Sequence, residues 1–402
     1  MRVTGRAVLT AAGLVVLAAG WAIAAHALWK SSVPSNLKLP HLDQHAYFNQ
    51  ALLDRTSSFD AFLRVDQLLA AVALVVTVVI YARRGPALMR HSAAGPIGTG
   101  MLLGMLGLGI VWLVQLPFGL AELWTERQHD IARQGYVDYV VTNFLGLGGE
   151  FLFISFGLLV VMGAARFLRQ WWWVAVVPAF AGLVLLFAFV SPFLQPDLHP
   201  LHNPQLAADA RRLAGAESVP GTRVRVERVR RFTSAPNAEA TGLGSSRRVV
   251  LWNTLLGGRF SRKEIDAVMA HELGHIAHHH VLKDVGWFAL WAIPAGIVVA
   301  LATRGRGGMR RPEAVPLALL LVVVLQLVAT PLENLKTRHM EAEADWASLQ
   351  TTRDPKAAVG LFQGLSRTAL EQPNPPSWAY GLMADHPTIM QRIAMAKAWE
   401  RR

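Results

Sequence analysis

The residues most able to do chemistry form the pattern His271-Glu272-Leu273-Gly274-His275, which reads H-E-x-x-H. The surrounding segment, residues 265–280, contains no proline and is expected to be helical. Residues four apart on a helix share a face, so the imidazoles of His271 and His275 can bind one metal ion. Glu272 points about 100° around the same turn, where it can reach a water on that ion. This donor set favours zinc, because neutral imidazole and carboxylate are good ligands for it.

Three further histidines, His278, His279 and His280, follow the pattern closely. On an unbroken helix His279 would lie a full turn beyond His275, and one ion cannot easily bind three successive turns. We therefore expect the three to form a solvated helix end, where positive charge interacts favourably with the helix dipole. The position six residues after His275 is Val281, which excludes the third histidine of a metzincin.

A catalytic zinc site usually has three protein ligands and an open position, so a third ligand must come from elsewhere. Glu341 is the better candidate, because it lies in an acidic segment that is expected to be helical after the last apolar run. Asp345 falls on the same face and can orient a zinc histidine through the ring nitrogen that does not bind metal. Glu343 is expected to face solvent.

The elements that must position these residues are largely apolar. The chain is 53% hydrophobic and 16% charged, whereas about a quarter of the residues in a soluble domain are charged. Seven apolar runs approach the length that crosses a bilayer: 7–29, 67–82, 97–120, 140–164, 171–193, 285–303 and 315–332. The last two contain Pro294, Pro316 and Pro331, so a hairpin that does not fully cross is an alternative there.

The first run has two interpretations. Arg2 and Arg6, an apolar stretch and the small residues near Ala22 and Ala24 resemble a cleaved secretory signal. The apolar stretch is longer than usual for such a signal, which favours a retained membrane helix. Both interpretations lead the chain into a membrane, so we expect a multi-pass protein of the bacterial plasma membrane.

Composition also excludes several kinds of site and partner. The chain has no cysteine, so disulfides and thiolate zinc ligands are excluded. The net charge is +12, and arginines cluster in short loops beside the apolar runs, as expected of membrane topology. We therefore predict no nucleic-acid partner, and expect a peptide or protein substrate and a lipid bilayer.

The chain divides by composition into two parts. Residues 1–193 are expected to form a membrane domain of about five helices. Residues 194–402 are expected to form a peptidase domain, with a transmembrane hairpin at about 285–333. Within it, Ser261 and Glu264 form an S-x-x-E capping box that would start the helix about ten residues before His271. The predicted fold is mainly α and polytopic, with a small α+β part.

Four stretches resemble the Ste24-type CAAX prenyl protease branch of the M48 membrane metallopeptidases. They are Asn237-Ala238 with 249–256, then His271 to His275, then Asn334-x-x-Thr337-Arg338-x-x-Glu341-x-x-Ala344-Asp345, and His386-Pro387-x-x-x-x-Arg392-Ile393. Their order and the intervening hairpin also fit this branch. Seven spans fit it better than the HtpX-like branch, which has about four. The resemblance is strong from about residue 195 and rests on layout alone before that.

The resemblance implies a ring of helices around a chamber and a zincin-like peptidase domain split by the last helix pair. It implies one Zn²⁺ held by His271, His275 and Glu341, with Glu272 as the general base. Asn237 would hold the substrate backbone on an edge strand. Thr337 and Glu239 depart from the family pattern, which typically has serine and an aromatic residue there; neither departure removes a ligand.

The resemblance also implies that His386 and Arg392 line the cleft. His386 would donate a hydrogen bond to the developing oxyanion, although a His-Pro pair before a helix also has a purely structural interpretation. Arg392 would either bind a substrate carbonyl or carboxylate, or brace its helix.

The predicted function is a zinc-dependent membrane endopeptidase that cleaves membrane-associated or partly unfolded proteins. One alternative is CAAX-type processing of prenylated or lipidated peptides; the Arg- and Ala-rich composition is typical of high-GC bacteria, where prenylated substrates are not expected. The other alternative is a non-catalytic zinc-binding receptor or transporter, which the intact Glu272 disfavours.

The sequence gives two conflicting predictions for the side of the membrane that carries the zinc site. The resemblance implies the cytoplasmic side. The positive-inside rule favours the opposite, because with seven spans one face collects Arg2, Arg6, Arg83, Arg84, Arg90, Arg166, Arg169, Arg304, Arg306, Arg310 and Arg311.

Overall fold

The computed structural model describes residues 5–89, 91–195 and 197–401. Arg2, Arg90 and the side chain of Arg6, which entered the topology argument, lie outside the described residues. The helices within these ranges are α1 (Gly5–Leu28), α2 (Gln50–Leu88), α3 (Gly95–Gln128), α4 (Tyr136–Leu168), α5 (Trp172–Leu194), α6 (Pro204–Ala216), α7 (Arg262–Ala277), α8 (His280–Ala302), α9 (Val315–Thr352), α10 (Pro355–Ala369), α11 (Ser377–Met383) and α12 (Ile389–Glu400). The strands are β1 (Leu198–Pro200), β2 (Arg223–Glu227), β3 (Ala238–Thr241) and β4 (Arg248–Trp252).

Five helical stretches in the described part of the chain are long and apolar enough to cross a membrane. One of them, Tyr136–Leu194, comprises α4 and α5. Arg169 has φ 51° and breaks the helix there, and Phe180 of α5 packs back against Gly157 of α4. With α1, seven apolar helices result, and the prediction of a mainly helical, polytopic membrane fold is confirmed.

The proline-containing runs form helices that are long enough to span a membrane. Helix α8 continues through Pro294 for 23 residues, and α9 continues through Pro331 for 38 residues. At a rise of about 1.5 Å per residue, even α8 reaches the roughly 30 Å of a bilayer core. The lengths of α8 and α9 therefore favour two full spans over a partly inserted hairpin.

Helix α1 packs against α8. The Trp21 Nε1 donates to the Leu290 carbonyl at 3.0 Å, and the rings of Trp21 and Trp291 meet edge to face. Cleavage near Ala22 would remove these contacts, so the packing favours a retained helix. Residues 29–49 connect α1 to α2 and run over the peptidase part, and we call this segment the strap. Its Phe48 is buried in the core of the peptidase part.

A four-stranded sheet lies beneath the site in the order β1-β2-β4-β3. Strands β2 and β4 are parallel, with Val224 opposite Val249, and β3 is antiparallel to β4 at the sheet edge. Val249, Val250 and Leu251 of β4 are fully buried, as expected for a central strand that is covered on both faces. The edge position of β3 leaves one side of its backbone toward the cavity described below.

Helix α7 begins at the predicted capping box. The Ser261 N–H donates to Glu264 Oε2 at 2.6 Å, and the Glu264 N–H donates to Ser261 Oγ at 3.4 Å. Farther along, Gly274 allows close approach to α9, since a Cβ there would lie 3.0 Å from the Cβ of Ala347. This contact brings α7 against the part of α9 that extends beyond its membrane segment.

Helix α7 does not continue through the histidine triplet. It ends at Ala277, because His279 adopts a left-handed conformation (φ 56°, ψ 38°), and α8 starts at His280. The prediction of one unbroken helix with a solvated end was wrong here: His280 is buried, with 2% of its surface exposed. Neither proline nor glycine marks this break in the sequence.

Candidate metal centre and active site

Three side chains from two helices converge on one point. The Nε2 atoms of His271 and His275 on α7 are 3.1 Å apart. Glu341 on α9 places Oε2 3.1 Å from His271 Nε2 and Oε1 3.5 Å from His275 Nε2. Zinc bonds of about 2.0–2.1 Å in tetrahedral geometry require ligand atoms roughly 3.3 Å apart. The spacing and the donor set therefore fit a zinc ion with an open fourth position.

Asp345, one turn after Glu341, supports the opposite side of His271. Its Oδ1 lies 2.9 Å from the buried Nδ1 of His271. This is the arrangement that fixes a metal-binding imidazole with Nε2 toward the ion. The structure thus places Asp345 where the sequence predicted a carboxylate that orients a ligand.

Arg392 on α12 is engaged by the same carboxylate. Its Nε and Nη2 donate to Oδ2 and Oδ1 of Asp345 at 2.8 and 2.7 Å, and its guanidinium stacks over Phe362. Burial opposes the charge of Arg392, but Asp345 outweighs it and raises the pKa of the guanidinium. Of the two predicted roles, the geometry corresponds to bracing, because the two donors that form the bidentate pair are directed at Asp345 and not at the open cavity.

The carboxylates also set the proton affinity of His271. Burial alone would lower its pKa, but Asp345 and Glu341 outweigh that effect and raise the pKa of His271 to about 10. A metal ion binds the neutral imidazole, so binding at neutral pH displaces a proton. The same charges that favour the proton also favour a divalent cation at this point.

Glu272 faces a cavity of about 750 Å³ next to the three ligand candidates. The cavity lies between α2, β3, α7, α9 and the segment before α12, and Asn237, His386 and Arg392 also line it. Glu272 itself is buried, with 8% of its surface exposed. A carboxylate beside a metal site, open to a cavity large enough for a peptide segment, can act as a general base.

His386 reaches the centre from the segment before α12. Its Nε2 lies 3.4 Å from Glu341 Oε2, and its Nδ1 lies 2.8 Å from Asp385 Oδ1. Partial burial lowers its pKa, but the hydrogen bond with Asp385 and the charge of Glu341 outweigh this and raise the pKa of His386. The charged form has two N–H donors, so one can face Asp385 while the other faces the cavity.

Asn237 immediately precedes the edge strand β3 and lines the cavity with its exposed side chain. Its carbonyl accepts a hydrogen bond from the Trp252 N–H at 2.9 Å, which fixes it against β4. Glu239, the departure noted in the sequence, accepts from Gln195 Nε2 at 2.5 Å. The strand that was predicted to hold the substrate backbone is therefore at the edge of the sheet and lines the cavity beside the metal centre.

Like His280, Glu343 was predicted to face solvent and is buried instead. It is 2% exposed and contacts His280, Lys283 and the backbone of Ser32. The helical periodicity of α9 correctly predicted that Glu343 points away from Glu341. It could not indicate that α8 and the strap cover the face on which Glu343 lies. Because these partners come from two segments distant in the sequence, no residue pattern at a fixed spacing indicates the burial of Glu343.

Comparison with known proteins agrees with this geometry. The model of peptidase family M48 matches residues 200–400. A Bacillus subtilis (strain 168) protein named uncharacterized metalloprotease YhfN is 29% identical over 305 residues, which are 72% of this chain and 71% of that protein. The protease HtpX homolog of Methylibium petroleiphilum is 31% identical over 219 residues, which are 48% of this chain and 74% of that protein.

The crystal structure of S. mikatae Ste24p superposes with a TM-score of 0.73 at 16% sequence identity. The match covers 94% of this chain and 96% of that chain, so the shared fold includes the membrane helices as well as the peptidase part.

Proposed function

Because the chain belongs to peptidase family M48, we propose that it is a zinc-dependent endopeptidase that uses Glu272 as general base on membrane-associated or partly unfolded proteins. The predicted family and enzyme class are confirmed: the protein is a membrane metallopeptidase. Zinc as the metal, the residue roles and the substrate class belong to the proposal.

The observation that carries the proposal is the triangle of His271, His275 and Glu341 with Glu272 beside it at the cavity wall. The three candidate ligand atoms lie within 4.8 Å of one another. When bound there, zinc would polarise the scissile carbonyl and acidify a coordinated water. Three protein ligands leave room for that water, which favours a catalytic over a purely structural site.

The chain's own residues then divide the work. Glu272 takes the proton of the attacking water and delivers it to the leaving amine. His386 donates to the oxygen that gains charge in the transition state. Asp345, braced by Arg392, holds His271 in the orientation that its ligand role requires.

The substrate would bind as an extended segment along β3. This strand is at the sheet edge, and Asn237, Ala238 and Ala240 at its cavity side lie next to Glu272 along the cavity wall. Main-chain hydrogen bonds to an edge strand require an unfolded segment and read little of its sequence. That preference favours partly unfolded or flexible regions as substrates.

The proposal is tested with full-length protein purified in detergent and freed of metal by a chelator. We expect cleavage of an unfolded fluorogenic peptide to vanish with the metal and to return when one Zn²⁺ per chain is added. Undiminished cleavage by the metal-free protein would contradict the proposal. The same peptide with and without a prenyl group separates the CAAX-type alternative, since we expect similar kcat/KM for both.

A further inference from the structure

The second nitrogen of His275 is held by another histidine. The Nδ1 of His275 lies 2.8 Å from the Nδ1 of His280, and the two rings meet edge to face with centroids 4.8 Å apart. His280 is the first residue of α8. The left-handed conformation of His279 turns the chain so that the imidazole of His280 points back at α7.

A buried carboxylate holds the far side of His280. The Nε2 of His280 lies 3.0 Å from Oε2 of Glu343, and each residue is 2% exposed. Glu343 also accepts from Lys283 Nζ at 2.8 Å and from the Ser32 N–H at 2.5 Å. A buried carboxylate with three donors is well satisfied and is fixed in place.

The direction of each hydrogen bond follows from these contacts. Glu343 can only accept, so Nε2 of His280 carries a proton and donates to it. In neutral His280, Nδ1 is then the acceptor, and the Nδ1–H of His275 donates to it. This leaves the lone pair of His275 on Nε2, the atom that lies among the other candidate metal ligands.

We propose that His280 and Glu343 are positioning residues for the metal ligand His275. The inference rests on the proposed metal site. It gives each of the two histidines of the pattern a carboxylate that orients its ring. Asp345 orients His271 directly, whereas Glu343 orients His275 through one intervening imidazole. Each of the two histidine ligands is thus connected to a carboxylate of α9 through its Nδ1, the nitrogen that does not face the metal.

The same network ties the metal centre to the strap. Lys283 donates to the Lys30 carbonyl at 3.0 Å as well as to Glu343, and Glu343 accepts from Ser32. Lys30 and Ser32 follow α1 directly. The orientation of His275 therefore depends on a segment that lies about 240 residues earlier in the chain.

The test compares His280→Asn with His279→Asn in the full-length protein. Asparagine at 280 is too short to contact both His275 and Glu343, whereas residue 279 is exposed and left-handed, a conformation that asparagine tolerates. We expect His280→Asn to weaken Zn²⁺ affinity by about 10–100-fold in a chelator competition. His279→Asn should bind Zn²⁺ like the original protein.

Two further readouts separate positioning from stability. The visible spectrum of the Co²⁺-loaded protein should change in His280→Asn, because a reoriented His275 alters the coordination. The melting temperature of the metal-free variant controls for loss of fold. If His280→Asn does not fold, Glu343→Gln, which keeps the shape of the side chain, is measured in the same way.

Unchanged Zn²⁺ affinity and an unchanged Co²⁺ spectrum in whichever variant folds would overturn the inference. Equal weakening in His279→Asn would overturn it as well. If the original protein itself bound no Zn²⁺, the proposed function would fail first, so the two failures are distinguishable.

Discussion

At the residue scale, the centre consists of ligands whose orientations are fixed by charged neighbours. His271 is held by Asp345, which is held by Arg392, and both members of this last pair are buried. A buried charge that loses its partner is strongly destabilising. The residues around the metal site therefore contribute to folding as well as to chemistry. We expect some substitutions there to lower the free energy of unfolding and others to lower the catalytic rate.

Replacing His386 should affect chemistry alone. We expect His386→Ala to lower kcat by about 10²–10³-fold, the usual effect of removing one donor to a developing oxyanion, with little change in KM or Zn²⁺ affinity. Steady-state kinetics on an unfolded peptide measure this. Asp385→Asn removes a charge that favours the two-donor form of His386, so it should lower kcat as well, by a smaller factor. Equal kcat in His386→Ala and the original protein would remove His386 from the mechanism.

Replacing Arg392 should affect folding. Arg392→Met removes the bidentate partner of Asp345 and leaves this buried carboxylate with His271 alone, so it should lower the free energy of unfolding by up to about 3–5 kcal/mol. Thermal or denaturant unfolding of the metal-free protein in detergent measures the change. Lys397→Met, on the same helix, removes an exposed pair with Glu400 and should leave the free energy of unfolding nearly unchanged. Equal losses in the two variants would contradict the buried pair as a stabilising contact.

At the element scale, the site depends on how closely α7 approaches α9, because each helix carries part of the ligand set. The H-E-x-x-H pattern, the capping box and the position of Glu341 could be predicted from the sequence, since helix periodicity and capping are local. The break at His279 could not be, because a non-glycine residue in the left-handed region depends on contacts with distant segments. For the same reason the burial of Glu343 was missed, as its cover comes from Lys283 and the strap.

The helix approach itself can be tested at Gly274. A Cβ there lies 3.0 Å from that of Ala347, so the additional methyl groups of Gly274→Val should push α7 from α9. We expect a loss of about 1–3 kcal/mol in unfolding free energy, as in other overpacked contacts, and weaker Zn²⁺ binding. Gly215→Val, at an exposed site with no atom within 4 Å, is the matched control. Normal Zn²⁺ affinity in Gly274→Val would show that the helices do not need this close contact.

At the scale of the whole molecule, the short loops at the end of the helix bundle remote from the metal centre carry a cluster of arginines. Gly85 at the end of α2 packs near Pro316, and Arg304 donates to Gln170, so the loops at this end meet. Among the described residues they carry Arg83, Arg84, Arg166, Arg169, Arg304, Arg306, Arg310 and Arg311. Glu341 lies 26 residues farther along α9 than Val315, or about 39 Å away along the helix axis. The positive-inside rule then places the metal centre outside the cytoplasm.

Cysteine labelling tests this orientation, because the chain has no native cysteine. Ser245→Cys is exposed beside β4 in the peptidase part, and Gly305→Cys lies exposed in the arginine-rich loop with nothing within 4 Å of its added Cβ. We expect a membrane-impermeant thiol reagent to label Ser245→Cys in intact cells, and Gly305→Cys only after lysis. The reverse pattern would place the metal centre in the cytoplasm and favour quality control of membrane proteins.

The account depends most on a metal-dependent peptidase in which Glu272 moves the proton, and one variant tests this directly. Glu272→Gln should bind Zn²⁺ like the original protein, because Glu272 is not among the three converging ligands. Its hydrolysis of an unfolded peptide should fall by at least about 10²–10⁴-fold, the contribution of a general base. Glu264→Gln, on the same helix, should retain full activity. Hydrolysis at the original rate by Zn²⁺-loaded Glu272→Gln would contradict the mechanism.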